Sequence, residues 1–302
     1  MVAVIIALLF ALSSADEDTS EEERLDFIEY SDHFARKIIL TISAAAYSDN
    51  PQECLSHRLG KVTDTYQYSF PCQDGVCSGF VALLHKYNAI AVGFRGTQKP
   101  GQLIQQGIDA LLSPWSEWKH GGRVSGYVKF TYIRLWANLE DKFKKFMAEH
   151  PDWDIWVGGH SLGGALATLA ASDIVESRIA VNPDKVKLVT LGQPRVGDRK
   201  FADALNEQVE YSYRVVHWMD VVPSIPKTGY WHQGEENWKK TKMDEYEREP
   251  TVKRKRFLAS ISGQHGEDSV YCSAKYLPTS ISDHKTYFGK VVSDYGKGGC
   301  KT

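Results

Sequence analysis

An α/β fold, with a mostly parallel central sheet flanked by helices, is predicted by three observations. Strand-like apolar runs alternate with amphipathic helical stretches from Ala89 to Trp218, the pattern of a parallel sheet covered on both faces. One run, Ala89-Ile90-Ala91-Val92-Gly93-Phe94, is apolar throughout, as a strand buried on both sides must be. A second run, Trp153–Val157, leads into Gly158-Gly159-His160-Ser161-Leu162-Gly163-Gly164 and then a stretch with Leu162, Ala165, Leu166, Leu169 and Ala170 on one helical face.

Composition sets the outer bounds. The 302 residues are 42% hydrophobic and 12% aromatic, enough for a sizeable core, and neither an internal repeat nor a linker divides them. A single domain over 16–302 is expected. The net charge of -2 argues against a nucleic-acid partner. Val2 to Leu12 is entirely apolar and is followed by Ser13-Ser14-Ala15 and an acidic run, which predicts a signal peptide over 1–15 and a secreted protein. That run is shorter than the roughly 20 apolar residues a bilayer span needs, and no other run reaches that length, so no transmembrane segment is expected.

The five cysteines of an exported chain predict disulfides. Cys72 and Cys77 are near enough to close a small loop, and Cys300 can return the tail to Cys272 or to Cys54. The odd count leaves one thiol free or paired between chains. The cysteines lack C-x-x-C spacing, so no metal site is expected, and no Asn-x-Ser/Thr sequon is present.

Taken in order, Ser20 to Ala46 reads as a helix, with Ser20 and Glu23 as a capping box and Phe27, Phe34, Ile38, Ile39 and Ile42 as its apolar stripe; Tyr47 to Pro51 ends it. Strands are expected at Thr65–Phe70 and Ser78–His85, then the buried strand ending in Arg95-Gly96-Thr97. Pro100 to Trp118 carries an apolar stripe (Leu103, Ile104, Ile108, Leu111, Leu112, Trp115) interrupted by Gly107, Ser113 and Pro114. Two readings stand: a short core-packed helix, or a mobile lid over about 98–118 whose apolar face covers the serine in water. Gly126–His150 is a strong amphipathic helix. Lys185–Leu191 and Tyr211–Trp218 are strands around a helix at Asp198–Gln208. Gly229–His232 reads as a hairpin arm. Lys239 to Gly266 is charged and irregular, with the basic run Lys253–Arg256 as a solvated loop, and Asp283–Phe288 forms a last small element.

The chemistry starts from Gly159-x-Ser161-x-Gly163, the spacing of a nucleophile elbow between a strand and a helix. Such a turn holds a serine hydroxyl clear of the backbone beside the amides of a helix N-terminus, where negative charge is favoured. The serine needs a base, and the base needs an acid that fixes its tautomer. On a sheet of this kind the chain order is Ser, acid, His. Asp220 follows the Tyr211–Trp218 strand and falls on the same sheet edge as Ser161. Of the histidines after it, His265 sits in a loop, His232 in a strand-like run, and His284 in the last ordered element, so chain order favours His284. His160 is expected to point away from Ser161 as a structural residue.

Phe94-Arg95-Gly96-Thr97, Gly159-His160-Ser161-Leu162-Gly163-Gly164-Ala165, Leu191-Gly192-Gln193-Pro194-Arg195-Val196-Gly197-Asp198, Arg214-Val215-Val216-His217 with Asp220-Val221-Val222-Pro223, and Asp283-His284-x-x-Tyr287-Phe288 resemble, in that order, the motifs of class 3 (fungal-type) lipases. The similarity runs from about Tyr47 to Phe288. It implies an α/β-hydrolase fold, a lid after the Arg-Gly-Thr motif, and hydrolysis of lipid esters at a lipid–water interface without a cofactor. Carried over position by position, it implies Ser161 as nucleophile, Asp220 as acid, His284 as base, and Thr97 with Leu162 as oxyanion donors. The lid segment keeps none of the family's better-known lid residues. The expected enzyme is a monomeric secreted triacylglycerol lipase. A phospholipase, a feruloyl-type or other carboxylesterase, or an inactive lipid-binding module are the alternatives.

Overall fold

The computed structural model describes residues 29–73, 75–97, 111–180, 182–239 and 279–301. The expected signal peptide, residues 98–110 of the expected lid, the basic run Lys253–Arg256, His265 and Cys272 lie outside them. Residues from Asp32 onward form one unit.

Of the expected Ser20–Ala46 helix, residues 20–28, with Ser20, Glu23 and Phe27, lie outside the described residues, and residues 29–31 are not helical. A π-helical stretch Phe34–Ile39 runs into α1 (Leu40–Ala45), and Ile38, Ile39 and Ile42 are buried as the stripe requires. Pro51, read from the sequence only as a terminator, is instead the first residue of α2 (Pro51–Leu59). Its missing N–H costs nothing at that position, and the Asn50 side chain caps the helix through the Glu53 amide at 3.3 Å. The next two strands are longer than expected, β1 (Val62–Cys72) and β2 (Gly75–Leu84), and form a hairpin that leads into β3 (Ala89–Phe94).

The apolar stripe before Pro114 ends with Leu111 buried and Leu112 exposed. A small hairpin follows, β4 (Trp115–Glu117) with β5 (Arg123–Ser125). Trp118, the expected last residue of the lid, is a core residue whose Nε1–H donates to Ser172 Oγ at 2.9 Å. Helix α3 (Gly126–Glu149), strand β6 (Asp154–His160), helix α4 (Leu162–Glu176), strand β7 (Val186–Leu191), helix α5 (Arg199–Gln208) and strand β8 (Tyr211–His217) come where expected. Gly229–His232 is not a hairpin arm: Trp231 makes a single antiparallel bridge to Gly197. Strand β9 (Glu235–Lys239) was not predicted. Helix α6 (Ile281–Lys285), the two-residue strands β10 (Thr286–Tyr287) and β11 (Lys290–Val291), and helix α7 (Val292–Lys297) close the described chain.

Seven strands make one sheet in the order β1-β2-β3-β6-β7-β8-β9. The first two pairings are antiparallel and the last four parallel, which makes the sheet mostly parallel. Helices cover both faces. A Cβ at Gly158 would face Ile39, whereas one at Gly159 would meet Gly163 of α4; the two neighbours point to opposite sides, as strand alternation demands. Cys54–Cys300 ties α2 to the end of the chain, and Cys72–Cys77 closes the β1–β2 turn. The second pairing is the expected small loop; the first is one of the two partners open to Cys300. No described helix is long and apolar enough to cross a membrane.

Candidate active site

The site lies where β3, β6, β7 and β8 end. Strand β6 leads into α4 through Ser161, which sits at φ 59° and ψ -129°. Positive φ is unusual for a residue with a side chain and persists only where the surroundings enforce it. The enforcement is steric. A Cβ at Gly159 would lie 2.2 Å from the Gly163 carbonyl oxygen, and one at Gly163 would lie 2.2 Å from the Phe94 carbonyl oxygen. Only with both side chains absent can strand and helix close this tightly. The Ser161 amide donates to Leu191 O at 2.9 Å, which ties the turn to the end of β7. Leu162 opens α4, so its N–H belongs to the first turn, whose amides have no partner within the helix.

Asp220 follows β8 and is 1% exposed. Its carboxylate accepts from the Val222 amide at 2.9 Å and from the Tyr287 hydroxyl at 2.6 Å. His284 Nδ1 lies 3.0 Å from each carboxylate oxygen and, facing a carboxylate, carries the proton. His284 Nε2 is thereby left as an acceptor, 2.8 Å from Ser161 Oγ. The structure thus brings Ser161, His284 and Asp220 into one hydrogen-bonded series across 123 and 64 residues of chain.

Three short connections hold the histidine's segment against the acid's. Ser280 N donates to Met219 O at 2.8 Å, and Met219 N donates to Asp283 Oδ2 at 3.1 Å. His217 Nδ1 lies 3.0 Å from Asp283 O, where only an N–H can be the donor. Burial, then the negative charge of Asp220, keep the Tyr287 hydroxyl well above its ordinary pKa, so it remains a donor. In the sequence Tyr287 stands in a motif without a role of its own. The available signal was its position three residues after the candidate base, one strand residue beyond a short helix.

The other candidates fall as follows. Gly96 packs on the elbow, since a Cβ there would come within 3.1 Å of Ser161 Cβ, and Thr97, half-buried, follows it in the chain. His232 is apart from the series: its Nε2 donates to Pro223 O at 2.7 Å, and burial, then the charges of Arg214 and Arg195, push its pKa well down. Among the described residues no group of His, Cys, Asp and Glu is arranged to hold a metal ion.

A serine at a strand-to-helix elbow, at the carboxyl edge of a mostly parallel sheet, defines an α/β-hydrolase. Comparison with known proteins agrees and narrows it. Residues 91–230 match the family model described as lipase (class 3). A lipase of Caenorhabditis elegans is 29% identical over 332 aligned positions, covering 99% of this chain and 89% of that protein. A secreted mono- and diacylglycerol lipase A of Penicillium cyclopium is 28% identical, covering 97% and 92%. The crystal structure of a lipase from Rhizopus microsporus var. chinensis superposes with a TM-score of 0.69 at 24% identity, over 90% of this chain and 91% of that one. Over residues 91–230 the chain is similar to class 3 lipases, and with its relatives this supports a carboxylic ester hydrolase of lipids.

Proposed function

We propose that the protein is an exported triacylglycerol lipase that works through an acyl-enzyme on Ser161. The observation that carries this reading is the continuous series Ser161 Oγ, His284 Nε2, His284 Nδ1, Asp220. His284 takes the Ser161 proton as the oxygen attacks the ester carbonyl carbon. The charge that develops on the carbonyl oxygen meets the amide and hydroxyl of Thr97 and the amide of Leu162. One such donor is typically worth about 3–4 kcal/mol of barrier. The intermediate collapses as the C–O bond to the glycerol breaks and His284 hands its proton to the departing alcohol. A water, deprotonated by the same imidazole, then attacks the acyl-enzyme and frees the fatty acid. Asp220 keeps the proton of His284 on Nδ1 and offsets the imidazolium charge.

Export is supported by the two disulfides, which persist in oxidising compartments. Triacylglycerol as substrate is supported by the match of residues 91–230 to the lipase (class 3) model. The test has two arms on the mature protein. An alkyl phosphonate should label wild type at Ser161 and leave Ser161→Ala unlabelled. A panel of emulsified long-chain triglyceride, phospholipid and soluble short-chain or aromatic esters should then show the highest kcat/KM on triglyceride. An unlabelled, folded wild type would remove the triad assignment; a higher rate on phospholipid or aromatic esters would keep the triad and replace the substrate.

A further inference from the structure

His160 adjoins Ser161 in sequence, yet its ring nitrogens reach Tyr47 and the backbone of His284. It is 5% exposed and hydrogen-bonded at both nitrogens. Nε2 lies 2.7 Å from the backbone carbonyl oxygen of His284, and Nδ1 lies 2.9 Å from the Tyr47 hydroxyl. A carbonyl only accepts, so Nε2 carries the proton. Burial, and then the charge of His284, lower the His160 pKa to about 3, so the ring is neutral and its Nδ1 is an acceptor. The Tyr47 hydroxyl must therefore donate to it. That hydroxyl oxygen in turn packs against Gly96, whose backbone N–H counteracts part of the effect of its burial.

Each end of this series matters to the proposed chemistry. Gly96 immediately precedes Thr97. The contact is close enough that a Cβ at Gly96 would lie 2.3 Å from the Tyr47 hydroxyl oxygen. Arg95 secures the same tyrosine from the other side, with Nε on Ala46 O at 3.0 Å and Nη2 on Tyr47 O at 2.5 Å. At the other end, His284 stands in the last turn of the five-residue helix α6, where backbone carbonyls have no partner within the helix. The two imidazoles also stack, with centroids 4.8 Å apart and planes 29° apart.

We propose that Tyr47 and His160 are positioning residues, a buried relay running from Gly96, packed on the Tyr47 hydroxyl, through Tyr47 O–H to His160 Nδ1, and His160 Nε2–H to His284 C=O. The relay holds the oxyanion loop and the general base in register on either side of Ser161. The Tyr47 and His160 donors point the same way, so each hydrogen bond polarises the next. The proposal rests on the catalytic roles given above to Thr97 and His284. It assigns His160 work through its neighbours, with no contact to substrate.

The test uses a soluble short-chain ester, so that no lipid surface intervenes, with Tm measured for every variant. His160→Ala should lower kcat by about thirtyfold with KM changed by less than about threefold, the mark of an interaction that acts in the transition state. His160→Gln, whose amide can still donate to the His284 carbonyl, should bring kcat back to within about threefold of wild type. Tyr47→Phe should cost about tenfold, and Tyr47→Phe with His160→Ala no more than His160→Ala alone, as members of one unit do. The downfield NMR resonance of the His284 Nδ1 proton should shift in His160→Ala. A folded His160→Ala within twofold of wild type in kcat, a His160→Gln no better than His160→Ala, or additive losses in the double variant would overturn the relay. If His160→Ala does not fold, an unchanged kcat in Tyr47→Phe overturns it just as surely. An inert but folded wild type would instead count against the proposed function, and the NMR shift would still decide whether His160 holds His284.

Discussion

Tyr287 donates its phenolic proton to Asp220 Oδ2 at 2.6 Å, on the same carboxylate that receives His284 Nδ1 at 3.0 Å. The two residues come from separate segments, and the hydroxyl oxygen accepts in turn from the His217 amide at 3.3 Å. The phenol therefore fixes the carboxylate from behind, on a donor that burial keeps protonated. Hydrogen bonds to a charged acceptor contribute about 1.5–3 kcal/mol. Tyr287→Phe should lower kcat by about tenfold, equivalent to about 1.4 kcal/mol of barrier, with KM unchanged and a modest loss of Tm. Steady-state kinetics on a soluble ester read both numbers. A kcat equal to wild type would mean that the Val222 amide alone holds Asp220.

The elbow makes a harder prediction because its neighbours are backbone. A Cβ on Gly163 would meet the Phe94 carbonyl oxygen at 2.2 Å, with no side chain able to swing aside. At Gly158, one turn of the pleat away from the elbow pair, the nearest backbone oxygen would be 3.4 Å distant, an ordinary contact. Gly163→Ala should cost at least about 3 kcal/mol of stability or prevent folding, and should abolish phosphonate labelling. Gly158→Ala should stay within about 1 kcal/mol of wild type. Urea unfolding of the pair measures the difference; equal midpoints would mean the turn relaxes more readily than its contacts imply.

The same contrast separates what the sequence makes legible from what it hides. Strands β3 and β6 and the Ser161 turn could be read directly, because burial on both faces dictates uninterrupted apolar runs and the turn dictates glycine. Strand β9 could not: Glu235-Glu236-Asn237-Trp238-Lys239 is a charged stretch that becomes a strand by pairing along β8 at the sheet edge. Pro51 signals a boundary without saying whether a helix stops or starts there. Among His232 and His284, local pattern does not discriminate. Chain order and motif resemblance favoured His284, whereas His232 is fixed by Pro223, a partner that adjacency in sequence does not reveal. His160 reads as structural because an elbow turns such a residue away from the serine; its links to Tyr47 and His284 span 113 and 124 residues and are tertiary facts.

Acid should destabilise the protein well above the carboxylate range. His160 is held neutral by burial, with a pKa of about 3, and burial followed by Arg214 and Arg195 holds His232 well below its ordinary value. In the unfolded chain both titrate near about 6.5. As pH falls below that value the unfolded state takes up protons that the folded state refuses, so stability drops with falling pH. The loss attributable to His160 accumulates down to about pH 3. Urea midpoints at successive pH values from 7 to 4 should decline steadily, and His232→Gln should flatten the slope while lowering the starting value. A flat profile in wild type would show that one or both imidazoles charge without penalty.

The two disulfides should contribute very unequally. Cys54–Cys300 spans a sequence separation of 246, whereas Cys72–Cys77 spans 5. In the chain-entropy description a cross-link stabilises by restricting the unfolded chain, so the long loop is worth about 5 kcal/mol and the short one about 2. Burial adds to the asymmetry, because Cys54 and Cys300 are both 0% exposed and removing them leaves unfilled space, while Cys72 is only partly buried. For a chain of this size each kcal/mol moves Tm by about 2–4 °C. Paired alanine substitution of Cys54 and Cys300 should therefore lower Tm by more than about 10 °C, and of Cys72 and Cys77 by a few degrees. The ester hydrolysis rate at low temperature should survive both, since neither bridge touches Ser161, Asp220 or His284. Thermal melts with activity assayed in parallel separate the two effects. A larger loss from the short bridge would mean that it holds native geometry at the β1–β2 turn, and that restriction of the unfolded chain is the lesser part of its contribution.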